Sequence, residues 1–324
     1  MHLNSLIPLI KIKGIEQNPE IFQQQINVIF HNHEAKNYDK IHKEMWESLP
    51  LQYELLIKDL NLNLENIKAL NLLDIGCGTG LSGELLLRTK LGPLISNITL
   101  LDTSSEMLRK ASKRLKSWKK NIKIIEGNIN KLEEKFDIIL ISSVLHHIPD
   151  YQGFLKEISA LQNQNGILII IHDPLKDSMD HEIYQTRCKN YISYLKQHPK
   201  RRNIITKVIE KIGRILQRKS YIDDINKELL ERNIISEPLS EPELWSVTDI
   251  HVEGLPYSAN MGISKLKVEA ALPQYQLLSF RTYGFYGSLY SNLQGKFKRS
   301  ELDLIQSKDK MGRNLSSAWR KISP

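Results

Sequence analysis

The segment LLDIGCGTG, residues 72–80, decides the fold. An apolar run ending in an acid, Asp74, meets three alternating glycines, Gly76, Gly78 and Gly80, and the apolar text that follows reads as a helix. Glycines there let the backbone turn sharply and let a ligand approach it closely, which is what a strand-to-helix crossing at a nucleotide site needs. A dinucleotide loop would place its third glycine three positions after Gly78, where Leu81 stands. The loop is therefore not built on the pyrophosphate pattern.

Outward from it, short apolar runs alternate with helical segments, the pattern of βαβ units and a mostly parallel sheet. Strands are expected at about 71–75, 97–101, 122–126, 136–141 and 166–172, with helices near 81–90, 104–117 and 151–161. FDIILI and GILIII are apolar throughout, as central strands covered on both faces should be. A helix near 262–272 and strands at 274–283 and around SSAWRKIS would complete seven strands. Before the loop, Asn18 to Phe30 and Tyr53 to Leu60 carry helical periodicity, so residues 1–70 are expected to form a helical cap. Between 175 and 240 the alternation stops and a helical insertion is expected, clearest in IITKVIEKIGRIL, with 71–174 and 241–324 as the core.

Composition narrows the class. The chain has 324 residues, 41% of them hydrophobic, enough for a large buried core. No apolar run reaches the roughly 18 residues a membrane span requires, and MHLNSLIPLIKIKG lacks a cleavage-site pattern, so a cytoplasmic protein is expected. Cys77 and Cys188 suggest neither a disulfide framework nor metal-ligand spacing. The net charge is +8, and residues 175–235 hold 14 Lys or Arg against 8 Asp or Glu, so the excess is concentrated in the insertion. Lys200, Arg201, Arg202, Arg214, Arg218 and Lys219 carry much of it. A solvated helix face is the plain explanation, an anionic acceptor the next, and peripheral contact with a phospholipid surface the third. Few aromatic residues interleave with these charges, which weighs against nucleic acid.

With its leading acid, DIGCGTG resembles the first motif of class I S-adenosylmethionine (SAM) dependent methyltransferases, D/E-x-G-x-G-x-G. Three further pieces follow in the order that family shows. Asp102 ends the second strand in ITLLDTSSEML, where a carboxylate can accept bonds from both ribose hydroxyls. Asn128 and Ile129 in EGNIN stand where the family holds adenine, with Asn in place of the commoner Asp. FDIILISSVLHHIPD, 136–150, brings Ser142 and a tandem histidine to the carboxyl edge of the sheet, where open α/β folds bind ligands. The resemblance is specific over about 70–175. It implies a Rossmann-like α/β fold, helices on both faces of the sheet, and a cofactor site of Tyr38, Asp74, Gly76, Cys77, Gly78, Gly80, Asp102, Thr103, Met107, Asn128, Ile129 and Ser142. Its product would be S-adenosylhomocysteine (SAH).

For the acceptor, LHHIPD resembles small-molecule and natural-product O-methyltransferases, which implies a role for His146, His147 and Asp173 at an acceptor hydroxyl. Histidine suits removal of that proton near neutral pH. His147 is the expected base, with Asp173 as its orienter or a second acceptor contact. His251 is expected in a structural role or in the pocket wall. No metal is expected, because oxygen ligands enough for magnesium cannot be assembled. There is no Asn/Asp-Pro-Pro-Tyr/Phe after strand four, which argues against base amines, and no Pro-Cys nucleophile for cytosine carbon. Two other readings stay open: methylation of a carboxylate or amine on a peptide or other anionic acceptor by alignment alone, and a non-catalytic SAM-binding subunit. Oligomeric state is not legible.

Overall fold

A computed structural model describes residues 3–61, 69–115, 117–199, 221–258 and 262–322. Strands β1 (Leu70–Ile75), β2 (Ile95–Asp102), β3 (Asn121–Glu126), β4 (Phe136–Ser142), β5 (Gln162–Pro174), β6 (Tyr275–Tyr283) and β7 (Asn314–Lys321) form one sheet in the order β3-β2-β1-β4-β5-β7-β6. The first five are parallel, and β7 runs antiparallel between β5 and β6. Strand order reverses between β1 and β4, which opens a crevice beyond their carboxyl ends.

The helices are α1 (Ile7–Ile12), α2 (Pro19–Glu34), α3 (Tyr38–Ile41), α4 (Lys43–Asp59), α5 (Leu81–Leu87), α6 (Ser105–Leu115), α7 (Tyr151–Ala160), α8 (Lys176–Met179), α9 (Glu182–Gln197), α10 (residues 221–231), α11 (Glu241–Thr248), α12 (Lys265–Ala271) and α13 (Lys296–Gln306). Pleating sends neighbouring residues of each strand to opposite faces. Leu72, Leu100, Ile138, Leu140, Ile169 and Ile171 enter one core, while Leu73, Leu101, Ile139, Ile141, Leu168 and Ile170 enter the other. Both faces are thus dry, which is why FDIILI and GILIII show no polar alternation.

A third core lies off the sheet. Leu6, Leu9, Phe22, Ile26, Ile29 and Phe30 from the N-terminal helices pack with Ile225, Leu229, Leu244, Val247 and Ile250. The N-terminal segment and the back of the expected insertion therefore share one apolar interior. Helix α9 instead reaches the main core through Tyr191, beside Tyr286 and Phe297.

Two elements differ from expectation. The helix expected from Tyr53 begins at Lys43, because Pro50, which reads as a breaker, is accommodated inside it. Helix α13 was not expected, although Phe297, Glu301 and Ile305 recur every four residues and are all buried. The basic run at 200–219 and IITKVIEKIGRIL lie outside the described residues. No helix among the described residues is long and apolar enough to cross a membrane.

Candidate active site

The glycine loop leaves β1 and enters α5 with Gly76, Gly78 and Gly80 all at positive φ. At Gly76 (φ +61°) a Cβ would lie 2.5 Å from Val144, so any side chain would drive the loop into the one after β4. Around Gly78 (φ +52°) nothing lies within 4 Å of that position, and the backbone faces an open cavity. Asp74 does not reach it. Its buried carboxylate accepts from the Ser82 hydroxyl at 3.0 and 3.1 Å, and burial pushes its pKa up to about 7. Asp74 thus braces the loop from behind. Cys77 is buried and Gly80 packs on Ala111, so these two also support rather than line.

The cavity holds about 470 Å³ beyond the carboxyl ends of β1, β2 and β4. Gly76, Gly78, Asp102, Thr103, Met107, Asn128, Ile129 and Ser142 line it, and Tyr38 stands at its edge. Asp102 Oδ2 accepts from Gly78 N at 2.8 Å and its Oδ1 from Ser104 N at 2.8 Å. Burial raises its pKa, opposed by those two amides. Each oxygen keeps a lone pair for a ligand. Asn128 Oδ1 accepts from Asn130 N at 3.2 Å, so this side chain also shapes its own turn. Polar contacts in a row, an apolar shelf at Ile129 and a bare glycine backbone fit an aminoacyl nucleoside.

Helix α2 roofs this cavity with Gln23, Asn27 and His31, three polar residues spaced by four that apolar periodicity does not reveal. Side chains hold the roof down. Asn32 Oδ1 accepts from the Ser104 hydroxyl at 2.7 Å, Gln23 Nε2 donates to the His147 carbonyl at 3.1 Å, and Asp39 accepts from Thr79 Oγ1 at 2.8 Å and from Arg114 at 2.9 Å.

A second cavity of about 420 Å³ adjoins the first, and His31, Tyr38, Ser143 and His147 line both. His146 Nδ1 donates to Asp173 Oδ1 at 2.7 Å, and its backbone N donates to the same oxygen at 3.1 Å. Asp173 therefore orients His146, not the expected His147, because the loop after β4 turns the first ring toward β5. The β5–β7 pairing is irregular between Ile171 and Asp173, where His172 takes φ +69°, and Ser143 opposite takes φ +57°. Such strained, bulged positions re-aim side chains at sites. Asp173 is fully buried, which pushes it up to about 6, and its Oδ2 has no partner among the described residues.

His147 has a different partner. Its Nδ1 lies 2.9 Å from the Thr248 carbonyl and 3.1 Å from Asp249 Oδ1, at the end of α11. A ring nitrogen facing a carbonyl carries the proton, which leaves Nε2 with the free lone pair. Burial works against protonation of this ring, but the bond and charge of Asp249 outweigh it and lift the pKa above the ordinary value. His146, 4.0 Å away between centroids, is driven well below by burial and by that neighbouring ring. His146, His147 and Asp249 bring ligand atoms within 4.8 Å of one another, although both Nδ1 atoms already face oxygens.

Around them, buried Glu34 accepts from His31 Nδ1 at 3.2 Å and His42 Nε2 at 3.0 Å. Burial would raise this acid, yet the two imidazoles hold it at about 2. His172 Nδ1 bonds the Tyr283 hydroxyl at 2.7 Å, and burial pushes this ring down to about 3. His251 is buried and bonds the carbonyls of Ile148 and Pro149, so it braces the histidine loop, as expected of a structural residue. Asp249, Glu34, His42 and Arg313, which also lines the second cavity, carry no motif and were missed.

A family model described as a methyltransferase domain matches residues 66–220. The ubiquinone biosynthesis O-methyltransferase of Pelagibacter ubique (strain HTCC1062) is 31% identical over 155 residues, covering 42% of this chain and 62% of that protein. The demethylmenaquinone methyltransferase of Staphylococcus aureus (strain JH9) is 26% identical over 153 residues, covering 46% and 60%. The chain thus spans about three fifths of the length of these relatives. Among solved structures, the plantazolicin methyltransferase BpumL in complex with SAH aligns over 94% of this chain and 99% of that one, at 14% identity and a TM-score of 0.46. Residues 66–220, which hold the glycine loop and strands β1 to β5, match the methyltransferase-domain family model, and the likeness is to class I, SAM-dependent methyltransferases.

Proposed function

We propose that this protein transfers the methyl group of SAM to a hydroxyl of a small-molecule acceptor, with His147 taking the hydroxyl proton. The bound cofactor would supply a methyl activated on a sulfonium. The chain's own work is then to exclude water, align the acceptor oxygen and receive its proton. The observation that carries the reading is that His147 lines both cavities while its Nδ1 is held by Thr248 and Asp249, which leaves Nε2 as the proton acceptor. The name O-methyltransferase borne by the Pelagibacter relative supports an oxygen target.

Within this reading Asp102 takes the ribose hydroxyls, and Asn128 and Ile129 take the adenine. The Gly76–Gly78 backbone faces the aminoacyl end, while Thr103, Met107 and Ser142 form the walls. Tyr38 closes the edge between the cavities. His146, kept neutral and oriented by Asp173, is a second contact for the acceptor. The expected insertion 175–240, whose described helices are α8, α9 and α10, forms its lid, and Asp74, Cys77 and Gly80 hold the loop in shape. Calorimetry with SAH and a turnover assay that detects SAH release over a hydroxylated-compound panel test it together. His147→Ala is expected to keep SAH affinity and lose turnover, and unchanged turnover in that variant would exclude base catalysis by His147.

A further inference from the structure

Three carboxylates at or beside the second cavity are engaged: Asp173 with His146, Asp249 with His147, and Glu34 with His31 and His42. Glu44, on the α4 wall, favours protonation of His42. Arg313 also lines this cavity, half-buried and near enough to His172 for its charge to be felt there, and among the described residues no carboxylate lies within ion-pair distance of its guanidinium. Ser288, Asn292 and Asn314 line the wall beside it.

An unpaired cation in a polar recess is costly unless something completes it. Three partly or fully buried arginines elsewhere are paired, Arg281 with Asp59, Arg187 with Asp309 and Arg114 with Asp39, whereas Arg320 on β7 has no ion-pair partner among the described residues, but Arg320 does not line this cavity. Arg313 is also fixed in place. Its carbonyl accepts from Leu175 N at 2.6 Å and its N donates to Gly284 O at 3.4 Å, just before β7. A planar guanidinium beside neutral amide and hydroxyl groups is the donor set that holds an oxyanion in two parallel bonds.

We infer that Arg313 anchors an oxyanion group, a carboxylate or a phosphate, on the acceptor, whose reacting hydroxyl then lies toward His147. This rests on the second cavity being the acceptor site. The acceptor class is accordingly a hydroxy acid or a phosphorylated alcohol or phenol, held by its charge at one end and methylated at the other. The arginine would contribute chiefly to binding, so its loss should raise KM more than it lowers kcat.

The full chain loaded with SAH is titrated calorimetrically with benzoate, phenyl phosphate and neutral benzamide. At least one oxyanion is expected to bind tenfold or more tighter than benzamide, and the stronger of the two identifies the group. Arg313→Gln should abolish that preference while leaving SAH affinity within about twofold, and Arg313→Lys should restore part of it. Equal binding of all three probes, no binding of either oxyanion to SAH-loaded protein, or an undiminished preference in Arg313→Gln overturns the inference with the methyltransferase reading intact. Failure of SAH itself to bind folded protein instead removes the reading beneath it.

Discussion

The two cavities are nearly equal in size, about 470 and 420 Å³, but are assembled in opposite ways. The floor of the first comes from successive strand ends, residues 75–78, 101–107, 127–130 and 142–144, each placed by the same βα geometry. The second collects side chains from positions 31 to 314, including the end of α11 and the start of β7. One is therefore fixed by parallel-sheet topology, and the other by how peripheral helices pack. Function divides along that line: the first cavity suits a ligand common to a fold, the second a ligand particular to this chain.

The largest expected effect on affinity tests the first cavity. Asp102→Ala removes a buried carboxylate that both ties Gly78 and lines the cavity, and should weaken SAH binding about 100-fold, as charge-assisted bonds of about 1.5–3 kcal/mol imply. His147→Ala should lower turnover by about 10²–10³, within the span of general-base effects, with SAH affinity little changed. If SAH affinity fell as much as turnover, the division between the cavities would fail.

The pH profile sharpens the same contrast. The His147 pKa is raised, so the ring is protonated and unable to act at low pH. Turnover should rise with pH through an apparent pKa above the ordinary histidine value of about 6.5. Asp249→Asn should move that rise to lower pH, and an unmoved profile would detach Asp249 from the base.

Glu34→Gln tests how the second cavity is held. The acid sits at about 2 in the fold against an ordinary 4.5, so its stabilisation is complete above the unfolded value and disappears as pH falls toward 2. The variant should melt lower than wild type at pH 6, by about 1–3 kcal/mol for a buried charged bond lost, and the gap should close in acid. The smallest effect is expected at Asp74→Asn, which should shift SAH affinity less than about threefold because the side chain faces Ser82 and not the cavity, whereas a loss matching Asp102→Ala would return Asp74 to the ligand.

Legibility followed the same divide. The glycine loop, Asp102, Asn128, Ile129 and Ser142 are consecutive punctuation at strand ends, where a local pattern implies a local geometry. Asp249 meets the tandem histidines, and Arg313 joins the cavity they line, only through tertiary packing, more than 100 residues away in sequence, and neither neighbourhood has a motif. His31 and Gln23 could have been read from the four-residue spacing of polar groups along α2. The partner of Asp173 could not, since whether it faces His146 or His147 depends on the left-handed turn at Ser143 and the bulge at His172.

The third apolar core gives this arrangement an unusual freedom. Helix α2, which supplies His31 and Glu34, and helix α11, which places Asp249, are cemented by the same interior of Phe30, Leu244 and Val247, well away from the sheet. Repacking that interior by a methyl group or two would tilt both walls together over an unaltered floor. A change of acceptor could then arise from substitutions that touch neither ligand.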